Sequence, residues 1–433
     1  MIAEHERGKR SFVIELAPED YSYELLSQTL LPEMKGSWAK QGAYAAAWKH
    51  LFYVLAMRKV SETAGIKTGS AKRIYNYVRD NHPTAGTNPI GMLISYLKRL
   101  EGVKIGSLEA SLKARELQKL YRLEQIDSLL DDLNGICSHR RVLMFVDELD
   151  RGWDASEDAI AYVAGLFQAA MSINTRTPNI RVLMSLRREL YENIPALYED
   201  AQKVRDVIEI IEWDEPELLE LVGKRIAASF PTREMAPRRA WNSFFAETLD
   251  YRQTKSFNYV VDRTLYRPRE MIQFCLNMQS RAVQLRAELP INYNVISEAE
   301  HSYSEERTKD IAAEYRFQYP GLGSVLETFR GLAYTFDRTV LELHCLAITL
   351  GELKVSPEAK WCLNAEPDLL IEALWRVGFL RGQAVGGIKA RRRSGSAYLG
   401  SHQVSSLNLR NINRFHIHPM FRAYLGMREG KGD

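Results

Sequence analysis

Two kinds of apolar pattern alternate along the chain. Short runs rich in β-branched residues read as buried strands: Ser11–Leu16 (SFVIEL), Arg141–Asp147 (RVLMFVD), Ile180–Leu186 (IRVLMSL) and Val207–Ile211 (VIEII). Pro18 stops the first of them. From Tyr21 to about Cys137 the pattern is helical almost throughout, broken by the turn-rich stretch Asn81–Pro89, and Leu108–Leu133 repeats Leu and Ile at three- and four-residue steps. Asp158–Ile173 carries Ile160, Val163, Leu166, Phe167, Ala170 and Met171 at core spacing, long enough to cross over between parallel strands. This alternation predicts an α/β fold around a largely parallel sheet. Residues 214–290 read as mostly helical, and the last third alternates helices with a late pair of short strands, Ala397–Leu399 and Phe415–His418. Met1–Arg10 reads as the charged last turns of a helix without the cap and acidic first turn that begin one.

Composition narrows the class. With 433 residues, 45% hydrophobic and 26% charged, the chain has enough apolar material for two or three domains and is not a disordered or low-complexity protein. No apolar stretch approaches the roughly 18–20 residues of a bilayer span, and MIAEHERGKR lacks a signal-peptide core, so a cytoplasmic protein without a membrane partner is expected. Cys137, Cys275, Cys345 and Cys362 show no metal spacing and read as reduced core residues. The net charge of +3 is uneven: residues 381–433 hold ten Lys/Arg against two acids, leaving −5 for the rest. Only the tail reads as an electrostatic docking surface.

The chemistry concentrates at Val142–Glu148 (VLMFVDE), an apolar strand ending in two adjacent carboxylates. In α/β sheets the C-terminal strand edge is the ligand-binding edge. This is a Walker B pattern: the first acid, Asp147, would hold Mg²⁺ through its water shell, and the second, Glu148, would orient the water that attacks a γ-phosphate. The competing reading is a buried strand running into an acidic helix cap.

DELDR at 147–151 resembles the extended Walker B of the KAP and STAND groups of P-loop NTPases, and more closely a bacterial family of P-loop ATPases related to them. The resemblance covers roughly residues 10–285. It makes Ser185, in RVLMSLRREL, a polar sensor at the end of the next strand, followed by Arg187 and Arg188 at a helix start. Asp200–Ile226 resembles the segment of a Lys/Arg pair, a strand, Trp-Asp and a Leu-rich helix, and Arg267 and Arg269 in LYRPREMIQF resemble the arginines of a lid helix. What the resemblance implies is an ATPase using ATP and Mg²⁺, with Glu148, Ser185, Arg187, Arg267 and Arg269 as catalytic residues and Asp147 at the metal. The plainer readings are a strand-end hydrogen bond for Ser185, a solvated helix face for Arg187 or Arg188, structural ion pairs for Arg267 and Arg269, and a core anchor for Trp213.

The pattern departs from that family in one respect. A GxxxxGK[ST] loop, whose backbone N–H groups wrap phosphates, occurs nowhere in the chain. Gly65–Lys72 has the residue types at the wrong spacing, and Gly8-Lys9 runs directly into a strand. Since SFVIEL fits the second strand of such a sheet, the expectation is that the first strand and the loop lie upstream of Met1, leaving a slot between Ile180–Leu186 and Val207–Ile211.

The C-terminal region points elsewhere. Asp368–Leu380 reads as an amphipathic helix running into a turn, followed by strands around a basic loop with Lys389, Arg391, Arg392 and Arg393, which resembles a winged-helix module that could contact DNA phosphates. His416 and His418 alternate on a strand and read as core or surface residues. The resulting expectation is a P-loop-like α/β domain over 1–212 with a helical insertion at about 21–137, a helical lid over 213–300 and a winged-helix-like domain over 301–433. Its function would be an ATP-driven switch, inactive alone for want of the phosphate loop, with a homo-oligomer or an effector protein as partner. The alternative is a non-catalytic DNA-binding or scaffolding protein acting through the basic end.

Overall fold

The computed structural model describes residues 11–17, 37–63, 69–82, 88–98, 123–151, 153–192, 194, 197, 205–230, 235–383, 398–404 and 407–430. The chain divides into two compact units, Met1–Ile208 and Glu209–Asp433.

The first unit runs β1 (Ser11–Leu16), α1 (Ser37–Thr63), α2 (Gly69–Asn81), α3 (Pro89–Lys98), α4 (Leu123–Cys137), β2 (Arg141–Val146), α5 (Glu157–Arg176), β3 (Ile180–Met184) and a short α6 (Arg188–Glu192). The three strands form one parallel sheet in the order β1-β2-β3, with Phe12 beside Val142 and Val142 beside Ile180. Parallel neighbours need a crossover, and α5 supplies the one from β2 to β3. Its start is fixed by Ser156, whose hydroxyl accepts the Ala159 N–H at 3.1 Å, with Glu157 and Asp158 in the first turn. The Ala-rich α1 has strong helix propensity and is buried on several sides, with Trp48 stacked on Phe52 and tilted against Tyr162 of α5. The two helices approach closely at Gly165, where an added Cβ would lie 2.6 Å from Cβ of Tyr44.

The expected strand at Val207–Ile211 is not one. A 3₁₀ turn over Arg205–Val207 leads into irregular chain, and Val207, Ile210 and Ile211 are exposed. A β-branched run becomes a strand only where another strand offers its edge, and among the described residues none pairs with it. Nor does any described strand pair with the outer side of β3. Met1–Arg10 and most of Leu108–Leu133 lie outside the described residues.

The second unit runs α7 (Glu215–Ala227), α8 (Pro237–Phe244), α9 (Ser256–Val261), α10 (Pro268–Leu285), α11 (Tyr293–Glu314), α12 (Leu322–Glu327), β4 (Thr335–Asp337), α13 (Arg338–Thr349), α14 (Pro367–Arg376), β5 (Leu380–Gln383), β6 (Tyr398–Leu399), β7 (Arg414–Ile417) and α15 (Pro419–Arg422). A full capping box opens α7: Asp214 accepts the Glu217 N–H at 3.0 Å, and Glu217 accepts the Asp214 N–H at 2.8 Å. The four strands form an antiparallel sheet in the order β4-β7-β5-β6. The late strands are therefore four rather than two, and β6 and β7 are separated by β5.

The boundary expected at residue 300 falls inside α11. One apolar core runs from Leu218 to Leu425, and Glu300 is itself buried in it, so the regions read as lid and C-terminal domain form a single unit. The molecule is mixed α/β, mostly helical, with one small parallel sheet. Among the described residues no helix is long and apolar enough to cross a membrane.

Candidate functional site

The parallel ladder delivers Asp147 and Ser185 to the same sheet edge. The Asp147 N–H donates to the Leu16 carbonyl at 3.0 Å, and the Ser185 N–H to the Val146 carbonyl at 2.9 Å. The two residues thus leave neighbouring strands at the same level, and the Ser185 hydroxyl donates to Asp147 Oδ1. That oxygen also accepts the Glu148 N–H at 2.8 Å.

Glu148 takes a left-handed backbone, φ 58°, which a non-glycine residue adopts at a cost. The chain turns sharply there, and Leu149 and Trp153, which follow it, are buried, which anchors the turn. The Glu148 carboxylate accepts from Arg151 Nη1 at 2.8 Å, and Arg187 Nη2 lies 2.7 Å from Asp150 Oδ2. The edge therefore holds three carboxylates, one hydroxyl and two paired guanidinium groups, with Asp147, Glu148, Ser185 and Arg187 open to solvent.

Sequence reasoning brought forward Asp147, Glu148, Ser185 and Arg187, and all four converge. It overlooked Asp150 and Arg151, which pair with Arg187 and Glu148. The three-residue spacing between Glu148 and Arg151 in DELDR was the available signal. Arg188 begins α6 and is exposed.

The donors here are hard oxygens, the kind Mg²⁺ prefers. Among the described residues no three His, Cys, Asp or Glu side chains gather closely enough to hold a metal by themselves. A divalent ion at Asp147 would need further oxygens from a bound phosphate, which is the ordinary way Mg²⁺ is held in phosphoryl-transfer sites.

The other expected site residues lie in the second unit. Arg267 stands at the N-cap position of α10 without capping it through its side chain, and makes a two-pronged pair with Glu314 at 2.7 and 2.9 Å. Arg269 is exposed in the first turn of the same helix. Trp213 is half-buried against the second core, as a helix anchor would be. Lys389, Arg391, Arg392 and Arg393 lie outside the described residues, in the connection between the paired strands β5 and β6. His418 is fully buried: its Nδ1 accepts the Met420 N–H at 3.1 Å, and Arg381 Nη2 faces its Nε2 at 2.6 Å. Burial pushes the Cys137 and Cys345 thiols up to about 12, so neither is a nucleophile at neutral pH.

Residues 216–312 match the FunZ-associated C-terminal helical domain. Over 329 residues, 75% of the chain, the sequence is 24% identical to an Escherichia coli (strain K12) protein described as "Putative transposon gamma-delta 80.3 kDa protein", and the match covers 44% of that protein. Over 122 residues, 28% of the chain, it is 28% identical to "Allergen Alt a 2" of Alternaria alternata, covering 63% of that relative. No solved structure matches. The chain spans less than half the length of its E. coli relative.

Proposed function

We propose that the edge formed by Asp147, Glu148 and Ser185 is the metal- and water-handling side of an ATP-hydrolysing switch of the P-loop type. The observation that supports this reading is the Ser185–Asp147 hydrogen bond across the ends of adjacent parallel strands, followed at once by Glu148 on a strained backbone. In this reading Asp147 would hold Mg²⁺ through its water shell, and the ion would supply neutralisation of phosphate charge. Ser185 holds the Asp147 carboxylate in one orientation. Glu148 positions the attacking water and accepts its proton on Oε1, the carboxylate oxygen other than the Oε2 that Arg151 holds. Arg187, held by Asp150, follows the end of the neighbouring strand.

The phosphates themselves need a cradle of backbone N–H groups, and GxxxxGK[ST] is absent from the 433 residues. The chain by itself is therefore expected to turn over no ATP. The test joins a strand and a GxxxxGK[ST] loop ahead of this sequence and compares two substitutions. Glu148→Gln should keep Mg²⁺-dependent ATP binding and lower turnover by roughly 10²- to 10⁴-fold. Asp147→Asn should weaken the binding itself. Hydrolysis by the Glu148→Gln form at the parent rate would sink the proposal, leaving Asp147 and Glu148 as an acidic strand terminus.

A further inference from the structure

In a parallel sheet the backbone groups of alternate residues turn to opposite neighbours. The Val142 N–H donates to the Asn179 carbonyl and the Ser185 N–H to the Val146 carbonyl, so the odd-numbered residues of β3 face β2. Ile180, Val182 and Met184 therefore turn their N–H and C=O groups to the outer side, where no described strand lies. That side is not bare. Asn174, in the last turn of α5, bonds Val182 twice: its Nδ2 donates to the Val182 carbonyl at 2.9 Å, and its Oδ1 accepts the Val182 N–H at 2.8 Å. The Ile180 N–H donates to the Thr177 carbonyl at 3.1 Å, and Arg181 Nη1 donates to the Asn174 carbonyl at 2.5 Å, which ties the end of the helix to the strand. A carboxamide carries a donor and an acceptor in one plane, as a peptide group does. At Val182 it stands where the next strand would.

We propose that Asn174 is an edge guard, a side chain that closes the outer edge of β3 against pairing with β3 of another copy of this chain. An uncovered edge strand is a template for strand addition. The β3 sequence, IRVLM, is apolar and β-branched with one charge, and Leu183 is 45% exposed, so this segment would pair with itself if its edge were open. With Val182 occupied and the Ile180 N–H taken, Met184 alone presents both backbone groups outward without a partner among the described residues. One residue is too short a ladder to hold a strand. Any strand laid along β3, whatever its source, has to displace the Asn174 carboxamide first.

Hydrogen exchange of the full chain, read at single residues and corrected for intrinsic rates, should find the Val182 amide slower than the Met184 amide by about tenfold or more. Asn174→Ala removes both bonds at Val182. Its Val182 amide should exchange faster than the parent's by about tenfold or more, and sedimentation velocity should show larger species that the parent lacks. Adding Leu183→Lys to Asn174→Ala should remove those species, because a charge on an edge strand blocks pairing, whereas association through general loss of structure would persist. The parent comparison of Val182 with Met184 needs no variant and decides the matter even if Asn174→Ala does not fold. A Val182 amide as fast as Met184 in the parent, an Asn174→Ala chain that sediments as the parent does, or association that survives Leu183→Lys would each overturn the proposal.

Discussion

The Ser185 hydroxyl is bonded to the Asp147 carboxylate across the ends of two neighbouring strands, and the same carboxylate oxygen accepts the Glu148 amide. One exposed acid is thus held by two donors. Because both side chains are solvated, Ser185→Ala should cost only about 1 kcal/mol in urea denaturation. A loss of several kcal/mol would mean that this edge is covered in solution.

Gly165 carries the close crossing of α1 and α5. An alanine there would set its Cβ 2.6 Å from Tyr44 Cβ, 2.8 Å from the Ala45 nitrogen and 2.9 Å from the Gln41 carbonyl oxygen, and two of these three neighbours are backbone atoms that cannot rotate away. Gly165→Ala should destabilise the first unit by about 1–3 kcal/mol, read as a lowered denaturation midpoint with far-ultraviolet helicity retained. An unchanged midpoint would contradict the packing described for these helices.

Arg263 and Glu300 form a largely buried pair at 2.6 Å, with the Tyr259 hydroxyl donating to the second carboxylate oxygen and the guanidinium lying over the Tyr259 ring. Removing one partner leaves a buried charge. Arg263→Met should therefore cost about 3–5 kcal/mol, and the double variant Arg263→Met with Glu300→Leu should recover part of that loss. If the double variant is less stable than the single by the full value of Glu300→Leu, the two residues are not coupled.

Burial, and then the charges of Arg381, His402, Arg422 and Arg263 that face it, hold the His418 imidazole well below the usual histidine range. An unfolded chain takes up a proton near pH 6.5 that the folded chain refuses, so stability is full above that value and is lost as pH falls through it. The slope from this one group cannot exceed about 1.4 kcal/mol per pH unit. His344, also lowered by burial, adds in the same direction, whereas half-buried Glu215 and buried Glu270, whose values are raised, oppose it at lower pH. Asparagine can keep the cap on α15 without titrating, so His418→Asn should flatten the decline between pH 7 and 5.5. Parallel pH profiles for parent and variant would show that His418 is not the group responsible.

The three strands of the first unit were legible because each is a short β-branched run bounded by polar or turn residues. VIEII has the same pattern and forms no strand, since the pattern records what a segment can pair with and not whether an edge is there. The boundary near 300 was misplaced for a related reason. Helix α11 buries Val295, Ile296, Ala299, Tyr303 and Ile311 alongside polar Glu300, Ser304 and Thr308, so its periodicity is blurred by polar groups that find partners only in the folded unit. At the candidate site the acid pair stood out, whereas the left-handed turn at Glu148 and the Arg187–Asp150 pair depend on how the chain bends after β2.

The single core running from Leu218 to Leu425 sets where this protein can be cut and rejoined. The helical segment matched over residues 216–312 ends two residues before α11 does, and its inner surface is completed by α12 and by residues as distant as Phe421 and Leu425. A fragment stopping at 312 would expose the apolar side that those residues cover and should aggregate when expressed. Chimeras with the longer E. coli relative should instead tolerate a junction near Ile208–Glu209, where the two compact units divide, and exchange everything after it as one piece.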